Sequence, residues 1–228
     1  MHIVKRYPLI AAIVLSHFVI YALWFFDRSA AQFLLAKESV IEHVSHIILL
    51  GAIACWIHAA SRRKGELKIV FVYAVTIYSF ILLMEEINWG GVYGLTFFSN
   101  HISELTGGRG NLHSITLDKK ITFLGDSYQW FQIPIVAFIA SLFASLFIPR
   151  LKKMNLFFRR HGFGMEEFLG LVLLYVLSVP FEMNDPEHIK NSYLQELTET
   201  LFYLVIFYAG LKVSGGCSPQ VKQRGQLS

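Results

Sequence analysis

Apolar residues along this chain come in long runs, without the alternation of half-buried strands or the one-sided stripe of a soluble helix. Six runs, roughly 8–26, 39–60, 67–89, 130–149, 166–181 and 195–213, are bounded by polar or turn residues. A helix needs roughly 20 apolar residues to cross a bilayer core, and only the 166–181 run falls well short of that length. The pattern predicts an all-α, polytopic transmembrane bundle of about six spans. Residues 1–213 then form a single transmembrane domain, with an outer loop over 91–129 folding back across the bundle mouth as a partly helical lid. Residues 214–228 read as a polar, disordered tail.

Composition agrees with this reading and excludes others. With 54% hydrophobic and 16% charged residues, the chain is too apolar for an ordinary soluble domain. The net charge of +4 does not indicate a nucleic-acid partner, because the basic residues sit in short runs between spans. Twenty Phe and ten Tyr serve span packing and interfacial belts. Cys55 lies inside a span and Cys217 in the tail, neither in a metal-type spacing, and no disulfide between them is expected. Lys5 and Arg6 ahead of an apolar run, with Ser29-Ala30-Ala31 behind it, imitate a signal peptide. The run exceeds the roughly 7–15 residues of a secretory core, so an uncleaved first span is expected.

Orientation follows from the basic residues. Lys5, Arg6, Arg62, Arg63, Lys64, Lys68, Arg150, Lys152, Lys153, Arg159, Arg160, Lys212, Lys222 and Arg224 fall on one set of connections. The opposite set holds Arg28, Lys37, Arg109, Lys119, Lys120 and Lys190. Fourteen against six places both termini in the cytoplasm of a bacterial inner-membrane protein. The acids run the other way: apart from Glu66, Glu166 and Glu167, all lie at or near the outer face. Acids contribute little to orientation, so this bias calls for another cause.

Several of these acids share a depth. Glu38, Glu42 and His46 recur every four residues and stack on one helix face, with His46 about 10 Å below the mouth of the second span. The third span ends in Glu85-Glu86-Ile87-Asn88-Trp89-Gly90-Gly91. Adjacent side chains diverge by about 100° on a helix, so one of Glu85 and Glu86 faces the interior while the other serves a neighbouring loop. Trp89 suits an interfacial anchor, and Gly90-Gly91 a helix end. Glu196 and Glu199 form an i, i+3 pair on the sixth span, and the long loop adds His101, Glu104, Asn111, His113 and Asp126. Glu and His on facing helices are how bundles hold metals without sulfur ligands. A carboxylate at mid-bilayer costs about 2.5–3.5 kcal/mol and less near the interface, so intramembrane acids point to function by default.

Other polar residues read more plainly. Glu166 and Glu167 open a helix and suit its positive end. Glu104 and Asp118 read as loop surface, and His17 and His58 as packing residues. Glu182, Asp185, Glu187 and His188 are either a polar exit loop or an edge of the site. Haem would need a second axial histidine at matching depth beside His43 or His46, and no other span supplies one.

The segment EEINWGG, followed some twenty residues later by NLH, resembles a group of bacterial multispanning proteins with an EEISWGQ-like segment and a downstream NLHN-like one. The likeness covers residues 85–114, with a weaker echo around Glu196 and Glu199. Asn88 stands for the usual Ser, Gly91 for Gln and Ser114 for the final Asn, while Glu85, Glu86, Trp89, Gly90, Asn111 and His113 are kept. The resemblance implies a shared site and no particular activity. A fainter one, to CAAX-type intramembrane proteases, rests on Glu85-Glu86 and on Phe97 with His101, although Gly90 replaces the expected Arg.

The residues thus predict a membrane-embedded, metal-dependent hydrolase or transferase acting on a lipid or lipid-linked substrate at the periplasmic face. His46 and His113, with Glu42, Glu85 or Glu199, are the expected ligands of a zinc, iron or manganese ion. Glu86 or Glu196 is the expected general base, and Asn111 orients substrate or a ligand. Two non-enzymatic readings compete: an ion- or proton-coupled carrier component, and an accessory subunit whose acidic outer face docks a membrane-protein partner.

Overall fold

A computed structural model of the chain describes residues 7–35, 40–62, 66–105, 122–123, 126–127, 132–182 and 189–215. The described residues are almost wholly helical. In chain order they form α1 (Pro8–Phe26), α2 (Arg28–Leu35), α3 (Val40–Arg62), α4 (Glu66–Glu86), a 3-10 turn (Asn88–Tyr93) and α5 (Thr96–Leu105). A two-residue antiparallel pair, β1 (Thr122–Phe123) and β2 (Asp126–Ser127), precedes α6 (Gln132–Phe147). A 3-10 turn (Pro149–Leu151), α7 (Lys152–Arg160), α8 (Met165–Glu182) and α9 (Ile189–Ser214) complete the order.

Four segments are long and apolar enough to cross a membrane: Pro8–Phe26, one within Arg28–Arg62, Ile69–Glu86 and Glu196–Ser214. Their outward faces carry large apolar side chains, such as Leu15 and Phe18 on α1, Ile47 and Leu50 on α3, and Val70 and Ile77 on α4. In water such surfaces would be an aggregation liability, whereas hydrocarbon solvates them at no cost.

The central contact is between α3 and α9, which run parallel. Gly51 lets the Phe207 ring approach, and a methyl group there would meet that ring at 3.0 Å. Gly210 does the same for Trp56, whose indole nitrogen donates to the Ile206 carbonyl at 3.2 Å. Small residues at crossing points are the usual means of close helix approach in lipid. On the other side of α3 runs antiparallel α4, and α8 packs antiparallel to α9 with α1 along it. Tyr21 on α1 donates to the Leu177 carbonyl of α8 at 3.2 Å.

Two apolar cores follow from this layout. An aromatic one joins Trp56, Phe71, Phe138, Phe158 and Phe163 near the basic end of the bundle. An aliphatic one joins Leu9, Ile13, Ile20 and Leu35 to Leu171, Leu174, Leu197, Leu201 and Val205. The tight α7–α8 turn turns on Gly162, whose φ of +80° and approach to the Ala209 carbonyl, 2.3 Å from where a Cβ would stand, admit no side chain.

Both ends of the bundle carry charge, of different kinds. At the basic end Glu167 accepts the Gly164 amide at 2.7 Å, closing the first turn of α8 as half of a capping box. Glu166 accepts the Leu9 amide at 3.0 Å, and Lys212 bonds both carboxylates, so these acids also tie α1 and α9 to α8. His17 is buried and bonds its own helix at the Ile13 carbonyl, as a packing histidine does, but His58 is exposed. α4 stops at Glu86, ahead of Gly90-Gly91, and the chain tightens into the 3-10 turn instead. Gly90, at φ +91°, carries that turn against Leu95.

Candidate functional site

The helix directions bring the start of α3, the end of α4 and the first turns of α9 to one end of the bundle. From α3 come Glu42 and His46, one turn apart and only 5% and 4% exposed, well below what a solvated helix end shows. Ser45 between them is buried and bonds the Glu42 carbonyl at 2.7 Å, so this turn is held from within. From α4 comes Glu86, its last residue. From α9 come Glu196 and Glu199, with Thr200 bonding back to the Glu196 carbonyl at 2.8 Å.

Two sets of side chains converge there. One ligand atom each from Glu42, His46 and Glu86 lie within 4.8 Å of one another, as do one each from Glu86, Glu196 and Glu199. Glu86 belongs to both. Tyr203, one turn beyond Glu199 and almost fully buried, donates its hydroxyl to Glu86 Oε1 at 2.5 Å. Below the cluster Leu49 and Leu83 pack with the Tyr203 ring and form an apolar floor.

His46 is the informative member. Its Nδ1 lies 3.1 Å from the hydroxyl of Tyr93, which the 3-10 turn swings over the mouth. Its Nε2 is buried and has no hydrogen-bond partner among the described residues. A buried ring nitrogen without a partner costs about 1–3 kcal/mol. A metal would remove that cost, since an imidazole bound through one nitrogen commonly bonds an orienting group through the other. The donor set, one imidazole nitrogen with carboxylate oxygens and no sulfur, suits manganese, iron or zinc.

Of the sequence-predicted residues, Glu42, His46, Glu86, Glu196 and Glu199 are gathered. Glu85 joins neither set, as the angle between adjacent helical residues requires once Glu86 faces inward. Asn111 and His113 lie outside the described residues. His101 and Glu104 pair at 3.9 Å on α5 but are 67% and 81% exposed, too solvated for the pair to build a site. Sequence reasoning missed Tyr93 and Tyr203. Tyr203 was within reach, because Glu196, Glu199 and Tyr203 repeat at i, i+3 and i+7. Tyr93 was not, because nothing local marks a 3-10 turn that returns over another helix.

Comparison of the chain with family models, curated proteins and solved structures finds no match. The likeness of the EEINWGG segment to a multispanning group therefore carries no further argument.

Proposed function

We propose that this protein is a membrane-embedded, divalent-metal-dependent hydrolase or transferase acting on a lipid or lipid-linked substrate at the periplasmic face of a bacterial inner membrane. The observation that carries the reading is the buried His46 Nε2 beside Glu42 and Glu86. In this reading α6 and α8 also cross the bilayer, giving six spans with both termini cytoplasmic. The acidic cluster then opens outward, opposite the exposed Arg62, Lys152, Lys153, Arg159 and Arg160.

Glu42, His46 and Glu86 hold the ion. Zinc bound there would lower the pKa of its water to about 7, and any of these ions would polarise a carbonyl or phosphoryl oxygen. The neighbouring carboxylates accept the proton that such chemistry releases. Tyr93 keeps the His46 ring turned so that Nε2 stays available. The lipid assignment rests on what lies beside Tyr93: Leu95, Phe97 and Phe98 are 62%, 78% and 57% exposed on a short segment at the mouth, as in an interfacial element dipping into the acyl region.

Convergence of the acids favours this reading over an outward docking face. Leu49 and Leu83 beneath them favour it over a carrier, which needs polar groups continuing across the bilayer. The test is the metal content of detergent-purified protein, wild type beside His46→Ala and Glu86→Gln. Bound manganese, iron or zinc that disappears in both variants is the expected result and directs a screen of phospho- and acyl-lipid substrates. Folded wild type that takes up no metal after reloading overturns the proposal.

A further inference from the structure

The cluster holds more ligands than one ion needs. Each of its two three-residue sets brings its ligand atoms within 4.8 Å, and the sets meet at a single residue, Glu86. A carboxylate has two oxygens and about four lone-pair positions, so Glu86 can accept the Tyr203 hydroxyl on Oε1 and still reach two ions. The remaining ligands divide by helix. Glu42 and His46 rise from α3, Glu196 and Glu199 from the parallel α9, and Glu86 stands between them at the end of antiparallel α4.

From this arrangement we infer that the site is dinuclear: one divalent cation held by Glu42, His46 and Glu86, a second by Glu86, Glu196 and Glu199, with the Glu86 carboxylate bridging them. The inference rests on the metal reading of the site given above and extends it. Acids alone would not carry it. What ties the acidic side of the cluster to a cation is the unpartnered, 4%-exposed imidazole nitrogen of His46, reached through the shared Glu86. The charges are commensurate, since two divalent ions supply four positive charges to the four carboxylates. Bundles hold two ions with inward-facing Glu and Glu-x-x-His residues of facing helices, and the acids and histidine here, though spaced differently, also face inward from three helices; paired ions about 3.5–4 Å apart clamp the attacking and leaving oxygens of a displacement.

The test uses full-length protein in detergent, stripped and then loaded with manganese(II) alone. Metal analysis gives the stoichiometry, and electron paramagnetic resonance separates an isolated ion, with a six-line spectrum, from an exchange-coupled pair. The expected result is about two ions per chain with a coupled spectrum. The Glu196→Gln/Glu199→Gln variant should fall to about one ion with the six-line spectrum. One uncoupled ion in the wild type overturns the dinuclear site and leaves the mononuclear reading standing, while no ion overturns both. Two ions retained in the double variant place the second ion elsewhere and also overturn it. Because the wild-type spectrum decides by itself, a variant that failed to fold would not rescue the proposal.

Discussion

Tyr93→Phe removes one oxygen from the protein and tests the proposed metal site through a single contact. The ring is 57% exposed, so the substitution creates no cavity, but it takes the hydrogen-bond partner from the buried His46 Nδ1, and stability should fall by about 1–3 kcal/mol. What is lost is the 3.1 Å contact with His46 Nδ1. Two tautomers satisfy that contact. If the phenol donates, Nε2 carries the proton and cannot bind a cation. If Nδ1–H donates to the phenol oxygen, the Nε2 lone pair is exposed to the cluster, and metal binding selects this arrangement. Removing an orienting partner of a ligating histidine typically weakens metal binding about 10- to 100-fold, or about 1.4–2.8 kcal/mol. The assay is competitive titration of zinc or manganese against a chromophoric chelator, wild type beside Tyr93→Phe, with thermal unfolding of the metal-free protein as the control. A dissociation constant raised at least tenfold, in metal-free protein that still unfolds in one cooperative transition, is the expected outcome. Affinity within twofold of wild type would show that Tyr93 does not orient a ligand.

Three further outcomes test the fold at a distance from the site. Lys212→Met takes the cation from Glu167, which is 1% exposed and keeps the Gly164 amide, and should cost about 1.5–3 kcal/mol in thermal or denaturant unfolding, with Lys212→Met/Glu167→Gln recovering much of the loss. Gly162→Ala forces a side chain into a left-handed position facing the Ala209 carbonyl, so a loss above about 1–3 kcal/mol, the cost of the backbone conformation alone, is expected in the same assay. Asp27 caps α2 by accepting the Ala30 amide at 3.0 Å and the Ser29 hydroxyl at 2.8 Å, and these bonds hold its carboxyl below the ordinary 3.8. A lowered folded pKa means that the cap is fully effective above the unfolded value and is lost as pH falls through the folded one. Hydrogen exchange at the Ala30 amide should therefore accelerate, beyond its intrinsic pH dependence, as pH falls below the ordinary carboxylate range in wild type but not in Asp27→Ala.

How much of this was legible in the sequence depends on the kind of signal. Long apolar runs set the major helices, because a helix in lipid must be apolar around its whole circumference and its length is fixed by the bilayer. The short helices α2 and α7 were absent from that reading. Their amphipathic patterns lie within connections, and RSAAQFLL and KKMNLFFRR read equally well as charged loop. Glu166 and Glu167 were legible as capping acids from their position, but their bonds to Lys212 and to the Leu9 amide join residues more than 40 apart and leave no local pattern. At the site, periodicity found the pairs Glu42/His46 and Glu196/Glu199, since residues three and four apart share a helix face. Which of Glu85 and Glu86 faces inward was not legible, because it is set by the rotation of α4 against α3.

That rotation has a physical consequence for the whole cluster. Glu42 sits in the first turn of α3, where the helix dipole favours a carboxylate, whereas Glu86 sits at the end of α4, where it does not. Position alone therefore gives Glu86 no help from the dipole, and its half-buried carboxylate accepts the Tyr203 hydroxyl instead. The Tyr203 hydroxyl offsets part of this, since a charge-assisted bond contributes about 1.5–3 kcal/mol, but that is comparable with the cost of one carboxylate near mid-bilayer. Four carboxylates gathered this closely repel one another, a repulsion that protons or cations among them would relieve. The two answers differ in what they do with His46. A protonated carboxyl could donate to the imidazole nitrogen or to one other carboxylate; a cation would engage the imidazole and the carboxylates together. Glu86 is where that difference concentrates, because it joins the histidine side of the cluster to the acidic side. Glu86→Gln keeps the Tyr203 contact and the volume while removing the one charge common to both sets, so its effect on metal content bears on every ligand at once.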